Sequence, residues 1–145
     1  MAISPAGAPG ADFYARPWPL DGRLRDDGAL DLEHFPHPSA AAFITSNLTT
    51  IAEGSLGFGT TAAIFMSFDA ALDATTLPSA PADSLEAQAS VFLMDLDPDS
   101  PDSGERVPIR CAYFADASDY NPAHFVSCLP EQGFPLRPGT AYGLF

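Results

Sequence analysis

Two cysteines are the residues of this chain best placed to form a covalent bond with each other. Cys111 and Cys128 each lie within a short apolar segment. If these segments form an antiparallel hairpin with Phe114 opposite Phe125, the two cysteines face each other directly, which is close enough for a cross-strand disulfide. The alternative is a pair of half-buried thiols. A catalytic cysteine is not indicated, because no motif positions a histidine beside either thiol.

Carboxylates are concentrated in the loop of residues 97–105, DPDSPDSGE, and at its start. Oxygen ligands of this kind suit a hard cation, so these residues are candidate calcium ligands: Asp95, Asp97, Asp99, Asp102 and Glu105. An EF-hand loop would place Gly after the third acidic residue and Glu at its end, where this chain has Ser100 and Arg106. The alternative is a solvated acidic turn that two prolines stiffen.

The remaining candidate residues for chemistry lack a supporting motif. No pair of histidines has the spacing of a metal site: the three are His34, His37 and His124. The serines considered as nucleophiles lie outside any Gly-x-Ser-x-Gly elbow: Ser39, Ser46 and Ser127. We therefore predict no catalytic residue, no enzyme activity of this chain, and no cofactor apart from the calcium candidate.

Short strands are the elements that must position these residues. Ile64, Met66 and Phe68 are apolar at every second position, which predicts a strand with one buried face and with Ser67 turned the other way. Four further strands are predicted, at residues 90–97, 107–114, 124–129 and 140–145. The nearly continuous apolar run of 90–97 predicts burial on both faces.

Two arginines on the predicted strand 107–114 and its approach have acidic residues within reach. Arg106 and Arg110 could form surface ion pairs with Asp95 or Asp97. Such exposed pairs contribute little to stability. We therefore give them no role in a candidate site.

Composition favours a β-sandwich and excludes several partners. The 145 residues suffice for one domain, and 15 prolines favour short elements over long helices. A net charge of −13 argues against nucleic acid and anionic membrane surfaces. No apolar run approaches the roughly 18 residues of a membrane span.

The first ten residues lack a signal-peptide pattern, and the chain ends within a predicted strand. We expect a fragment of a longer protein, without its leader and its last part.

The whole chain is predicted to divide into three pieces. Residues 1–12 are predicted to be disordered, residues 13–38 to form an extended arm rich in proline and aromatics, and residues 39–145 to form the domain. The aromatics of the arm fix it to the domain or, alternatively, bind a sugar or peptide through Tyr14 and Trp18. A helix is predicted from a Ser39 cap to Glu53, with Gly54 as its end and Ile44, Leu48, Ile51 and Ala52 on its buried face.

Two regions of the chain resemble bacterial Ig-like domains of the SbsA and Big_5 type. FGT at 58–60 with IFMSFD at 64–69 and LDATTLP at 72–78 is similar to the opening strand and bend of that family. FPLRPGTAY at 134–142 looks like its entry to the last strand. The arm, with PWPLD at 17–21, is similar to the segment before this domain in bacterial virulence-factor lipases and in secreted myxobacterial-type proteins.

This resemblance implies a mainly β, Ig-like antiparallel β-sandwich with an N-terminal arm and one short helix. It implies a non-catalytic structural or interaction module of a secreted or surface bacterial protein, such as a lipoprotein. The partner would be a neighbouring domain of the same polypeptide or a surface protein. Two alternatives remain open: an N-terminal accessory domain of a secreted lipase or esterase whose catalytic domain lies downstream, and a carbohydrate-binding module.

Overall fold

The computed structural model describes residues 13–36 and 42–145, and its architecture is mainly β with one α-helix. The helix α1 covers Ala42–Gly54, and the strands are β1 Ile64–Ser67, β2 Leu93–Asp95, β3 Arg106–Val107, β4 Ile109–Phe114, β5 Phe125–Pro130 and β6 Tyr142–Leu144. Short 3₁₀ turns lie at Phe13–Ala15, Asp21–Arg23, Ala74–Thr76 and Pro81–Leu85. The predicted disorder of residues 1–12, and the predictions for His37 and Ser39, lie outside the described residues.

The strands form two small antiparallel sheets of three strands each, in the orders β1-β5-β4 and β3-β2-β6. The described residues also divide into two units by their contacts. Unit 1 contains the described chain up to Gly59 with Ile64–Leu72 and Tyr113–Val126, and unit 2 contains Thr60–Ala63, Asp73–Ala112 and Ser127–Phe145. The division into an arm and a domain at residue 39 stays a prediction. None of the described helices has the length and apolar character that would let it cross a membrane.

Unit 1 is built around an aromatic core that the N-terminal arm supplies in large part. Phe13, Tyr14 and Phe125 are buried, and Trp18, Leu32, Phe35 and Phe65 pack against them. The Tyr14 and Phe125 rings meet edge to face with their centroids 4.7 Å apart, a favourable aromatic geometry. The prediction that aromatics fix the arm to the rest of the chain is therefore consistent with this core.

The arm is more structured than the predicted extended segment. Arg25 N–H donates to the carbonyl of Ala29 at 2.9 Å, and Leu24 and Leu30 form an antiparallel bridge. Gly28 sits at the turn with φ +82°, a conformation that glycine adopts without steric cost. The Asp-Asp-Gly turn signal at 26–28 thus closes a small hairpin.

Arg23 is the buried charge of unit 1, with only 3% of its surface exposed. Its guanidinium lies 4.3 Å from the centroid of the Phe13 ring and donates to the carbonyl of Phe13. Burial lowers the pKa of this guanidinium, and the nearby Arg16 lowers it further. The arginine therefore holds the first buried residue of the arm by its ring and its backbone together.

Helix α1 ends at Gly54, as predicted, but its buried face is narrower than predicted. Ala52 is buried and Leu48 is half-buried, while Ile51 is 46% exposed, so its placement on the buried face is wrong. Phe43, near the start of the helix, is 77% exposed. The helix therefore buries a stripe only about one residue wide.

Strand β1 is covered on both faces, which corrects the prediction of one buried face. Ile64 is 8% exposed, and Ser67, which points the other way, is 5% exposed. The Ser67 hydroxyl donates to the carbonyl of Tyr14 at 2.6 Å, so the arm satisfies this buried polar group. Trp18 of the arm forms an antiparallel backbone bridge with Phe65 of β1.

Unit 2 contains the whole sheet β3-β2-β6, and Pro108 separates β3 of this sheet from β4 of the other sheet. The predicted strand 107–114 is divided at Pro108, which has no N–H to donate to a ladder. The residues before it form β3 and those after it form β4, in different sheets. The buried Ser84 accepts the Ile109 N–H at 2.9 Å and fixes the start of β4.

Candidate functional site

The sheet β3-β2-β6 has one buried face and one apolar face that is open to solvent. Along β2, Leu93 and Asp95 point inwards and are 2% and 1% exposed. Met94 points the other way, and the strand register places Arg106 and Gly143 on either side of it. By the same alternation, three further side chains share this side of the sheet. We call the set the outer face: Phe92, Met94, Leu96, Arg106, Gly143 and Phe145.

The members of the outer face contact one another closely. The Phe92 and Phe145 rings are stacked, with centroids 5.3 Å apart and an angle of 20° between their planes. The Arg106 guanidinium lies 3.7 Å from the centroid of the Phe92 ring and donates to the carbonyl of Glu86. The planar, weakly hydrated guanidinium suits both contacts. The face thus presents a layer of stacked planar groups.

Gly143 is the position in this layer that has no side chain, and the side chains of Leu96 and Phe145 lie over it. A Cβ atom at this position would lie 2.7 Å from Leu96 Cδ1 and 2.9 Å from Phe145 Cε2. An alanine here would therefore push the ends of these two exposed side chains aside. The absent side chain makes the apolar surface continuous across the sheet.

The outer face is exposed to a degree that its composition does not favour in water. Phe145 is 57% exposed, Leu96 is 47% exposed, and Phe92 and Met94 are half-buried. The prediction that the strand at 90–97 is buried on both faces is therefore wrong for this side. An antiparallel sheet usually turns polar residues to solvent, and a contiguous apolar patch marks an interaction surface.

The structure joins Cys111 and Cys128 in a disulfide, with their Cα atoms 4.1 Å apart. This is the bond that the hairpin with Phe114 opposite Phe125 predicts. Cys128 is fully buried, and the Cys111 N–H donates to the carbonyl of Pro78 at 2.8 Å. The bond joins β4 to β5 and closes the segment between them.

The acidic residues proposed for calcium are used by the loop itself. Asp95 accepts from Asp97 N–H at 2.9 Å and from Ser100 Oγ at 2.6 Å. Asp97 in turn accepts from Asp99 N–H at 3.0 Å, and Asp102 pairs with Arg137. Within residues 13–36 and 42–145, no three His, Cys, Asp or Glu side chains are grouped so as to hold a metal ion. The geometry favours the acidic turn, with Asp95 buried beneath it.

The predicted arginine pairs are wrong. Arg110 pairs with Glu131, through Nε to Oε2 at 3.0 Å. Arg106 lies on the outer face while Asp95 points to the inner one, so the sheet separates them. Strand alternation, rather than closeness in sequence, decides which charges meet.

The aromatics proposed for sugar binding lie mostly inside unit 1. Tyr14 is 6% exposed, and burial raises the pKa of its phenol. Trp18 is half-buried, with its ring 5.3 Å from Phe13 and 5.1 Å from Phe58 between centroids. A sugar platform needs an open ring face, so this packing disfavours the carbohydrate-binding alternative.

The described histidines and serines do not form a catalytic arrangement with one another. His124 Nδ1 lies 2.8 Å from the Tyr113 hydroxyl, and His34 lies 3.5 Å from the carboxylate of its neighbour Glu33. Ser46 is exposed on α1, and Ser127 lies within β5. Each contact is explained by local packing, and neither histidine faces a serine hydroxyl or a thiol in the contacts described.

Unit 1 has a shallow groove of about 620 Å³ between the arm hairpin and α1. Its walls mix apolar and charged side chains of both signs, including Leu32, Phe35, Leu48, Arg25 and Asp31. This mixture selects no particular ligand chemistry. We therefore take the outer face as the candidate functional site.

Comparisons of this chain with protein-family models, with curated proteins and with solved structures found no match. The site therefore has to be judged by its own geometry. The outer face is not among the sequence predictions, because Phe92, Met94 and Leu96 stand at alternate positions of a nearly continuous apolar run. A local signal is Gly143 within the apolar run that ends at Phe145, but it does not show which strand becomes the neighbour.

Proposed function

We propose that this chain is a non-catalytic interaction module that binds another protein surface through its outer face. The observation that carries the proposal is the exposure of Phe145 and Leu96 on a sheet face whose other side chains are also apolar or stacked. Covering such side chains contributes roughly 25 cal/mol for each Å² of apolar surface removed from water. A partner gains this free energy without a change in the sheet.

The composition of the outer face suits recognition as well as burial. Aromatic residues, methionine and arginine are enriched in protein interfaces, and this face contains all three. Arg106 is already held over Phe92 and by the Glu86 carbonyl, so little side-chain freedom remains to be lost on binding. These features support a preorganised contact surface.

The setting that we propose is a secreted or surface-anchored bacterial protein, with the partner a neighbouring domain or a surface protein. The disulfide supports an oxidising compartment, where such bonds persist. We also propose that the two antiparallel sheets belong to an Ig-like β-sandwich. An experimental structure of the whole chain, with its strand order compared with that of Ig domains, would test this part of the proposal.

Two pairs of equally exposed residues allow a matched test of the outer face. Leu96 and Phe145 are 47% and 57% exposed, and Leu85 and Phe134, which are not members of the outer face, are 46% and 56% exposed. Peptides would be selected on the unaltered chain from a displayed random library. They would then be measured against Leu96→Ser/Phe145→Ser and against Leu85→Ser/Phe134→Ser.

We expect selected peptides to lose binding to the outer-face variant and to keep it with the control variant. Circular dichroism would establish that both variants are folded. Peptides that bind both variants equally, or a selection that enriches nothing above background, would contradict the proposed function.

A further inference from the structure

Strand β6 leaves one of its two edges unpaired. It neighbours only β2, and Phe92 and Phe145 exchange two backbone hydrogen bonds of 3.1 and 3.0 Å. Because hydrogen-bonded pairs alternate along an antiparallel ladder, the N–H and C=O groups of Tyr142 and Leu144 point away from β2. No strand in the described part of the chain pairs with this edge. It therefore offers two donors and two acceptors to an incoming strand.

The two edges of this sheet differ in how they are protected. Edge strands are commonly blocked by charged residues, by proline or by being very short. Strand β3 has all three features, since it has two residues, starts at Arg106 and is followed by Pro108. Strand β6, Tyr-Gly-Leu, is also short but has neither a charge nor a proline. Of the two edges, β6 is therefore the less protected against pairing.

The acidic loop of residues 97–105 is linked to the start of β6 through Arg137, which contacts both. The Arg137 N–H donates to the Tyr142 hydroxyl at 3.0 Å, and the Arg137 guanidinium pairs with Asp102 at 2.6 Å. This contact brings the acidic loop of residues 97–105 beside Tyr142. Of the loop carboxylates, only Asp102 forms an ion pair with a described residue. A strand with basic residues at this end would therefore be attracted.

The net charge of −13 also decides between two kinds of occupant. A second copy of the chain would bring its own acidic loop to the same edge, and like charges repel. A cationic segment would instead gain attraction to the loop and a faster encounter at low salt. Charge complementarity thus favours a basic partner over self-pairing.

We propose that β6 accepts an additional antiparallel strand from an extended, basic peptide segment of a partner protein. Backbone hydrogen bonds to Tyr142 and Leu144 hold the strand, and its alternate apolar side chains extend the outer face beyond Gly143. Because the pairing is antiparallel, the C-terminal end of the segment lies beside the acidic loop, where its lysines or arginines sit. The inference rests on the proposed function, since it names the partner class of the same surface.

Synthetic peptides can separate strand pairing from general stickiness. The probe is a short peptide of alternating threonine and valine that ends in two lysines. With valines on the outer face, the threonine amides point at β6 and the valine amides point away. Two versions carry N-methyl groups on either the threonine or the valine amides, and a third ends in two glutamates. Binding to the whole chain would be measured by isothermal titration calorimetry at low and physiological salt.

We expect the threonine-methylated peptide to bind about tenfold more weakly than the parent, because two backbone hydrogen bonds are lost. The valine-methylated peptide should keep the affinity of the parent, and the glutamate peptide should bind more weakly, most clearly at low salt. Added salt should lower the affinity of the lysine peptide, because it screens the attraction between the lysines and the acidic loop.

Failure of the inference can be told apart from failure of the proposed function. Equal binding of both methylated peptides, with binding lost in Leu96→Ser/Phe145→Ser, would overturn the strand pairing and leave the outer face as a contact surface. Equal affinity of the lysine and glutamate peptides would overturn the basic partner. Absence of peptide binding would overturn the inference in favour of an edge without a strand partner. Concentration-dependent dimers in sedimentation equilibrium would overturn it in favour of pairing with a second copy of the chain.

Discussion

Reduction of the Cys111–Cys128 bond should destabilise the chain through its unfolded state. The two cysteines are 17 residues apart in sequence, and closing a loop of this length removes conformational entropy worth about 3 kcal/mol at 25 °C. Reduction keeps both side chains in place, so the packing around the fully buried Cys128 changes less than it would on substitution. The stability lost should therefore be close to the loop-closure value.

Urea unfolding with and without a phosphine reductant would measure this loss. With a urea slope of about 1–3 kcal/mol per M, a loss of about 3 kcal/mol lowers the midpoint by about 1–3 M. Far-UV circular dichroism would follow the whole chain, and the fluorescence of Trp18, the single tryptophan, would follow unit 1.

The control is a Cys111→Ser/Cys128→Ser variant, whose midpoint should not respond to the reductant. Thiol labelling would establish that the bond was reduced before unfolding. Coincident curves for the oxidised and the fully reduced chain would refute the loop-entropy reasoning. A change in slope without a change in midpoint would also refute it, because it would place the effect in the compactness of the unfolded chain rather than in stability.

Three further substitutions test other parts of the structure. Ser84→Ala removes the buried acceptor of the Ile109 N–H and should lower the free energy of unfolding by about 1–3 kcal/mol, as measured in urea; an unchanged midpoint would contradict this. Burial raises the pKa of Tyr14 above 10.0, so the folded state favours the protonated phenol and stability should fall as pH rises beyond 10.0. Tyr14→Phe should reduce that fall between pH 9 and 11, and the 60% exposed Tyr120→Phe should not, which urea midpoints at each pH would show. Gly143→Ala should displace the side chains above it, cost about 1 kcal/mol and weaken peptides selected on the outer face; unchanged peptide affinity would contradict the proposed contact surface.

Local sequence patterns predicted most strands because alternation and proline act over short distances. The strand at β1, the hairpin strands of the cysteines and the end of α1 at Gly54 all follow from neighbouring residues. The break between β3 and β4 at Pro108 could also be predicted from the sequence, since the missing N–H is a property of that residue alone. Treating 107–114 as one strand overlooked it.

The outer face could not be predicted in the same way, because it depends on which strands become neighbours. Leu96 and Phe145 lie far apart in sequence, and only the register of β2 with β6 brings them together over Gly143. Similarly, the arm covers the second face of β1 through a contact between Ser67 and Tyr14 that no local pattern encodes. Burial of a strand face is set by these long-range partners, so periodicity alone predicts that a face exists and not what covers it.

The interleaving of the two units constrains how the protein can be dissected. Each unit draws on three separate stretches of the chain, and the last stretch of unit 1, Tyr113–Val126, lies wholly inside the ring that Cys111 and Cys128 close. A truncation from either end therefore removes residues that a unit needs before it isolates the other. Deletion mapping of a binding activity would report loss of folding at nearly every boundary. A protease that cuts within this ring would leave both fragments joined until the disulfide is reduced, so nicked chains would separate only on a reducing gel.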